Sequence, residues 1–163
     1  MFRSHFKHTL DNKGRVSIPA EFRVEIQADN DRAPLITKGD DCLCLYPQAY
    51  WVGYERRIID AASIDPDGEA LLRLVVAGSH PCPVDRAGRI LIPQSLREHA
   101  KLDREAVFAG MGDYIQVWNP SLYAEDEART WARSRELRRS LARKMATKVP
   151  ALLGGPEENS SSG

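Results

Sequence analysis

One stretch of this chain occurs twice. Asp11-Asn12-Lys13-Gly14-Arg15-Val16-Ser17-Ile18-Pro19 returns as Asp85-Arg86-Ala87-Gly88-Arg89-Ile90-Leu91-Ile92-Pro93, shifted by 74 residues. Asp, Gly, Arg, Ile and Pro are identical at matching places, and Val16 answers to Ile90. Three residues beyond the prolines, Phe22-Arg23 answers to Leu96-Arg97. A repeat inside one sequence requires a fold that uses the same short unit in two places.

The chemistry of the unit is that of strand, tight turn, strand, short helix. Asp11 can accept bonds from the turn amides that follow it, and Gly14 supplies the positive φ that a three-residue hairpin loop needs at its end. Asp85 and Gly88 take the same turn-bracing roles in the second copy. Val16 and Ile18 fall on one face of the outgoing strand and Arg15 and Ser17 on the other, while Phe6, His8 and Leu10 form one side of the incoming strand. Pro19 and Pro93 end the strands and suit the first turn of a helix, where a missing N–H costs nothing. Ile90, Leu91 and Ile92 are consecutively apolar, so the second outgoing strand is expected to be covered on both faces.

The halves correspond beyond the turns. After a helix expected over 20–28 and a loop at 29–34, Leu35-Ile36-Thr37 and Cys42 to Tyr46 form two strands about a Lys38-Gly39-Asp40-Asp41 turn. Asp41 to Tyr46 aligns with Asp113 to Trp118, and Pro47 with Pro120 after one inserted residue. Pro47 opens a helix whose apolar residues Tyr50, Trp51, Tyr54, Ile58 and Ala62 recur at helical spacing. Asp65-Pro66 gives an N-cap and a first-turn proline to a second helix carrying Leu71, Leu72, Val75 and Val76. The aromatic and leucine surface of these two helices looks too large for the strands to cover, which points to self-association. In the second half a helix is expected over 94–101 and a strand at Ala106 to Ala109. A last helix should run from Asn119 or Pro120 to Lys148 with Leu137, Leu141 and Met145 as its stripe. The expected division is a first repeat at 5–51, a helical bridge at 52–80, a second repeat at 81–124, a basic helix at 125–150 and a polar, disordered tail at 151–163.

With 163 residues, 42% of them hydrophobic, the chain can bury a core. No apolar run reaches the roughly 18 to 20 residues that span a bilayer, and the N-terminus has no signal-peptide pattern, so a cytoplasmic protein without a membrane partner is expected. Cys42, Cys44 and Cys82 lack the further ligands that a tetrahedral site wants, and are read as buried reduced thiols, with no metal and no cofactor. The formal net charge is zero, but its distribution is uneven. Residues 1–23 carry Arg3, Lys7, Lys13, Arg15 and Arg23 against Asp11 and Glu21. Residues 129–148 carry eight bases against Glu136 alone, and the stretch from Glu25 to Asp85 is acidic. Local basic surfaces on a neutral chain suit an anionic partner, although a charged helix face is as often only solvated.

Three stretches carry a family resemblance: Met1-Phe2, His8 to Arg15, and Ile18-Pro19-Ala20-Glu21-Phe22-Arg23. With Asp85 to Pro93 they resemble the two motifs of the MraZ family of bacterial transcriptional regulators, tandem members of the AbrB-like swapped-hairpin group of DNA-binding proteins. The resemblance runs from Met1 to about Tyr123. It implies an α+β fold, a double-split β-barrel made by interleaving two pseudo-symmetric strand-turn-strand-helix repeats, with flanking helices. It also implies a ring-like homo-oligomer, and binding to double-stranded DNA at short direct repeats in the promoter of the division and cell-wall gene cluster. A cytoplasmic, nucleoid-associated location goes with that. The family's DNA-contacting arginine matches Arg15, and the second copy offers Arg89. The chain departs from the pattern in having Ser4 where a glycine is common and Ala87 where the first copy has Lys13, with Arg86 one place earlier. Its basic extension after Arg133 is also longer.

An isolated Asp-x-x-Gly-Arg is more often a turn whose arginine braces its own aspartate than a DNA reader. Duplication, the basic surplus around the first copy and the family pattern favour DNA contact by Arg15. A two-stranded ribbon tip fits the major groove, and an arginine there reaches guanine O6 and N7 together. Arg3 and Lys13 are expected on phosphates, which position without specifying, with Arg86 as the cation of the second tip. Arg89 is either a DNA contact or a structural ion pair. The two tips are expected to be unequal, because Arg89 follows Ala87 and borders an apolar strand that suggests burial. No nucleophile elbow, Walker loop or dinucleotide fingerprint supports an enzyme, so no residue is assigned a catalytic role. The alternative is a ring-forming scaffold without specific DNA binding.

Overall fold

The computed structural model describes residues 1–27, 32–65 and 67–152. It divides into two compact units, Met1–Tyr123 and Ala124–Gly163. The first half runs β1 (His5–Thr9), β2 (Arg15–Ser17), α1 (Ala20–Ile26), β3 (Leu35–Lys38), β4 (Leu43–Tyr46) and α2 (Gln48–Ala62), followed by α3 (Gly68–Val75). The second runs β5 (His80–Pro81), β6 (Arg89–Leu91), α4 (Gln94–His99), β7 (Glu105–Gly110), β8 (Ile115–Trp118) and α5 (Pro120–Ala132), followed by α6 (Ser134–Leu152). The order of elements is the same in both halves, as the repeat requires. The expected loop residues 29–31, the first-turn Pro66 and the tail from 153 lie outside the described residues.

The protein is α+β, and its halves are interleaved. One antiparallel sheet has the order β1-β7-β8-β4-β3-β5, and a second, two-stranded sheet pairs β2 with β6. Within the large sheet β1 lies against β7, from His5↔Ala109 to Thr9↔Glu105, and β4 lies against β8. Both joins cross between repeats. So does the ribbon, with Arg15↔Leu91, Val16↔Ile90 and Ser17↔Arg89.

The expected hairpin is corrected by this pairing. A tight turn does join β1 to β2, with one bridge at Leu10↔Val16, but the strands then part. Burial explains the exchange. Val16, Ile18, Ile90 and Ile92 are all at most 1% exposed, and pairing Val16 with Ile90 across repeats turns both apolar edges onto one core. Cross-strand apolar pairs of that kind are the unit of sheet stabilisation.

The large sheet is covered on both faces. One core joins Phe22 of α1, Leu96 of α4 and the ribbon isoleucines to Leu43, Leu45, Phe108, Ile115 and Val117. Phe22 is held edge-on by Phe2 and Phe6, with ring centroids 5.3 and 5.2 Å away. The second core lies under α2 and α3, where Trp51, Ile58 and Val75 meet Cys42, Cys44, Tyr46, Val107 and Trp118. β4 is the hinge of this alternation: Leu43 and Leu45 enter one core and Cys44 and Tyr46 the other, so the whole strand is buried. Thr37 on β3, also buried, donates its hydroxyl to the Val75 carbonyl at 3.0 Å and ties α3 to the sheet.

Several local expectations change. Leu91 is 55% exposed, so β6 is covered on one face only. Pro19, Pro47 and Pro93 sit at the N-cap with extended backbone, one place before the helix. α4 ends at His99 because Lys101 turns left-handed at φ 51°, and the Leu102 amide folds back to the Arg97 carbonyl at 2.8 Å. The single long helix after Pro120 is two helices. The Arg133 amide bonds back three residues to Thr130, and the Arg133 carbonyl accepts the Leu137 amide that starts α6. Tyr50, Trp51 and Tyr54 are not a free face, since Trp51 is buried and both tyrosines stack on Tyr46. Among the apolar side chains these helices leave open, Ile64, Leu71 and Leu74 line a cleft of about 630 Å³ together with Ala61, Ala62, Gly68 and Ala70.

Ser4 adopts φ 70°, with its carbonyl accepting the Gly110 amide at 2.9 Å. A left-handed residue with a Cβ costs about 1–2 kcal/mol, and glycine removes this at some cost in unfolded-chain entropy. Ser4→Gly is therefore expected to be up to about 1 kcal/mol more stable than the parent. Denaturant titration checks this, and a less stable variant would contradict it.

Candidate functional site

Each turn is closed by its own aspartate. Asp11 Oδ1 accepts the Lys13 and Arg15 amides, both at 2.9 Å, and Oδ2 accepts Arg15 Nε at 2.7 Å. Asp85 does the same for the Ala87 and Arg89 amides and for Arg89 Nε, all at 2.9 Å. Gly14 and Gly88 complete the turns at φ 84° and 75°, a region open to glycine at little cost. These bonds favour the charged carboxylate. Asp11 is held down to about 2, first by the Arg15 amide and then by the Arg15 guanidinium and the Lys13 amide, and Asp85 is lowered by the equivalent groups.

The two arginines share a surface. Val16 and Ile90 point into the core, so by strand alternation Arg15, Ser17, Arg89 and Leu91 occupy the opposite, solvent-facing side of the ribbon. Arg15 stands opposite Leu91 and Arg89 opposite Ser17. The arginines are thus diagonal neighbours, with Cα atoms about 7–8 Å apart in ordinary sheet geometry. Because β2 and β6 are antiparallel, the turns that precede them emerge at opposite ends of the ribbon.

The expected inequality in burial is not found. The side chains of Arg15 and Arg89 are 38% and 37% exposed, with the same aspartate pairing. The expectation failed because it rested on Leu91 being covered, whereas Leu91 lies on the arginine face. What distinguishes the tips is their other residues: Lys13 against Ala87, Asn12 against Arg86. Lys13 and Arg86 are both exposed. Arg3 lies before β1, beside the Phe2↔Gly112 bridge, whereas the Asp11–Arg15 turn follows β1. A five-residue strand therefore separates Arg3 from the first tip.

Two residues not assigned to the site touch both turns. Arg97 of α4 lies against Gly14: a Cβ added there would come within 2.5 Å of Arg97 Nε and 2.7 Å of Cζ. Arg23 of α1 lies against Gly88 in the same way, at 2.7 Å from both Nε and Cζ. Each arginine thus packs on the turn of the other repeat. The signal was visible in the sequence, where Arg23 and Arg97 recur at matched positions, but the role follows only from the exchange of strands.

The remaining reactive groups lie elsewhere. Cys42, Cys44 and Cys82 are free and buried. Hydrogen bonding with Cys44 and burial push the Cys42 thiol up, and burial pushes Cys82 up to about 12, which leaves little thiolate at these two; the same Cys42 hydrogen bond lowers the Cys44 thiol, which is buried in the second core. Among the described residues no group of three or more His, Cys, Asp or Glu side chains could hold a metal ion, and no helix is long and apolar enough to cross a membrane.

An interleaved tandem repeat with two aspartate-tied arginines on one ribbon face defines a duplicated α+β protein whose candidate site is a charged surface. The sequence model of the MraZ protein family matches residues 1–74 and again 75–143, so the second match starts 74 residues after the first, the shift of the repeat itself. This chain belongs to the MraZ family. It is 41% identical over 124 residues to the transcriptional regulator MraZ of Carboxydothermus hydrogenoformans, covering 76% of this chain and 84% of that one. To the transcriptional regulator MraZ of Thermomicrobium roseum it is 36% identical over 154 residues, covering 91% of this chain and all of the relative. The protein of that name from Moorella thermoacetica is 39% identical over 126 residues, 77% of this chain and 85% of its own.

The depressed Asp11 carboxyl has a consequence for acid stability. A folded-state value below the ordinary 3.8 contributes stability that is complete above pH 3.8 and is lost as pH falls towards 2. Asp11→Asn should therefore lose less of its stability than the parent between those two values. Denaturation midpoints measured across that acid limb check this, and equal slopes for the two proteins would contradict it.

Proposed function

We propose that this chain is a sequence-specific DNA-binding transcriptional regulator whose ribbon face meets the duplex. The observation that carries the reading is the placement of Arg15 and Arg89 on one exposed side of the two-stranded ribbon, each held by an aspartate. A ribbon fits the major groove, and a guanidinium fixed in orientation loses little further freedom on meeting guanine. Relatives named transcriptional regulators support it further. Arg15 is the principal base reader and Arg89 the second. Lys13, Arg86 and Arg3 contact phosphates, with Arg3 engaging at a distance from the first tip. Asp11, Gly14, Asp85 and Gly88 keep the tips in shape.

The finer parts of the reading follow the family pattern. The ribbon and the six-stranded sheet are the two parts of a double-split β-barrel, formed by repeats at 5–51 and 81–124 about the bridge at 52–80. The operator is a set of short direct repeats in the promoter of the division and cell-wall gene cluster, in a cytoplasmic, nucleoid-associated setting. Copies assemble as a ring, for which the open cleft at Ile64, Leu71 and Leu74 supplies exposed apolar surface. That cleft is also what favours the second reading, a ring-forming scaffold without specific DNA binding. In a ring several tips face one duplex, so repeated boxes bind more tightly than one box through effective concentration.

The test is capture of fragments of the source genome, followed by titration of a retained fragment against a scrambled duplex. Arg15→Ala should remove about 1–3 kcal/mol of base discrimination per engaged copy, and Lys13→Ala should weaken both duplexes alike and flatten the salt dependence. If no fragment is retained selectively, the scaffold reading replaces this one.

A further inference from the structure

Each reading turn is finished by the other repeat. The Gly14 carbonyl accepts the Ile92 amide at 3.0 Å, and the Ile92 carbonyl accepts Arg97 Nε at 3.1 Å. Arg97 then lies against the bare Cα of Gly14, the residue immediately before Arg15. The second turn repeats the arrangement: the Gly88 carbonyl accepts the Ile18 amide at 2.9 Å, and the Ile18 carbonyl accepts Arg23 Nε at 2.9 Å while Arg23 covers Gly88, just before Arg89. Both arginines are half-buried. A planar guanidinium can lie flat on a glycine and give Nε in its plane to a carbonyl, which an ammonium cannot do.

We infer that Arg97 is the positioning residue for Arg15 and Arg23 the positioning residue for Arg89, so that each repeat's short helix sets the reading arginine of the other repeat. The inference rests on the DNA-reading role proposed above. Removing Arg97 frees one side of Gly14 and leaves the Ile92 carbonyl without this donor, so the orientation of Arg15 relaxes although Asp11 still holds its Nε. The same change leaves Arg89 untouched, although Arg97 and Arg89 belong to one repeat. Merely local stabilisation of α4 would give no such crossing.

The experiment is a double-mutant grid on the full chain. Operator-over-scrambled discrimination is titrated for Arg97→Ala alone, and in Arg15→Ala and Arg89→Ala backgrounds, with thermal melts confirming that each protein is folded. Residues coupled through a shared piece of backbone, here Gly14 between Arg97 and Arg15, couple strongly enough for roughly a fivefold or greater loss of discrimination from Arg97→Ala alone. That loss should vanish in the Arg15→Ala background and persist in the Arg89→Ala background. Equal losses in both backgrounds overturn the inference, and so does full discrimination by Arg97→Lys, since rescue by charge alone would mean that positioning is not the role. Where Arg97→Ala does not fold, Arg97→Lys takes its place in the grid. A DNA-free measurement separates this inference from the reading it rests on: in Arg97→Lys, amide hydrogen exchange should quicken at Gly14 and not at Gly88. Unchanged exchange at Gly14 overturns the inference whatever the DNA results, whereas a parent protein that selects no fragment overturns the DNA reading while exchange still decides the crossing.

Discussion

The structure depends on burying two apolar edges that are too short to bury themselves. β2 and β6 have three residues each, and a pair of such strands is marginal without a core behind it. Pairing Val16 with Ile90 puts both repeats over one core and requires β1 and β5 to seek partners in the large sheet instead. The six-stranded order, the two layers of core and the common face of Arg15 and Arg89 all follow from this exchange.

The exchange also explains why charged groups can stand so close to a dry interior. Each guanidinium on the ribbon is one residue away from a fully buried side chain, Arg15 beside Val16 and Arg89 beside Ile90. The aspartate of its own turn supplies the counter-charge on the wet side, and the turn amides keep that aspartate ionised. The arginine nevertheless retains donors beyond Nε for an external partner, which a bidentate fork buried inside the protein would not.

Much of this is legible in the sequence alone. The order of elements followed from the repeat, the inward face of β2 from the alternation of Val16 and Ile18, and the turns from Asp and Gly at fixed offsets. What was not legible has a common cause. Alternation tells which face of a strand is buried but not which of two equivalent strands lies beside it, so the unit's own residues suggest a local hairpin, and only the family resemblance implied that the halves interleave. The expectation for Leu91 failed for a related reason: an apolar residue on the outer face of a ribbon looks the same in sequence as one covered by a second layer. The break at Arg133 carries no Gly or Pro to announce it. Arg23 and Arg97 were visible as a matched pair, but their contact with the opposite turns exists only after the exchange of strands.

The pairing of β1 with β7 also sets a timetable for biosynthesis. Thr9 ends β1 and its partner Glu105 opens β7, so the first strand leaves the ribosome long before its neighbour has been made. At about 5–20 residues per second the delay is on the order of ten seconds, during which β1 has an unpaired edge and no β7 to cover it. Its alternate outward residues His5, Lys7 and Thr9 are polar, and polar or charged side chains on an exposed edge discourage strand addition by other chains. The first strand of this protein is thus chemically suited to waiting in solvent for the second half of its own chain.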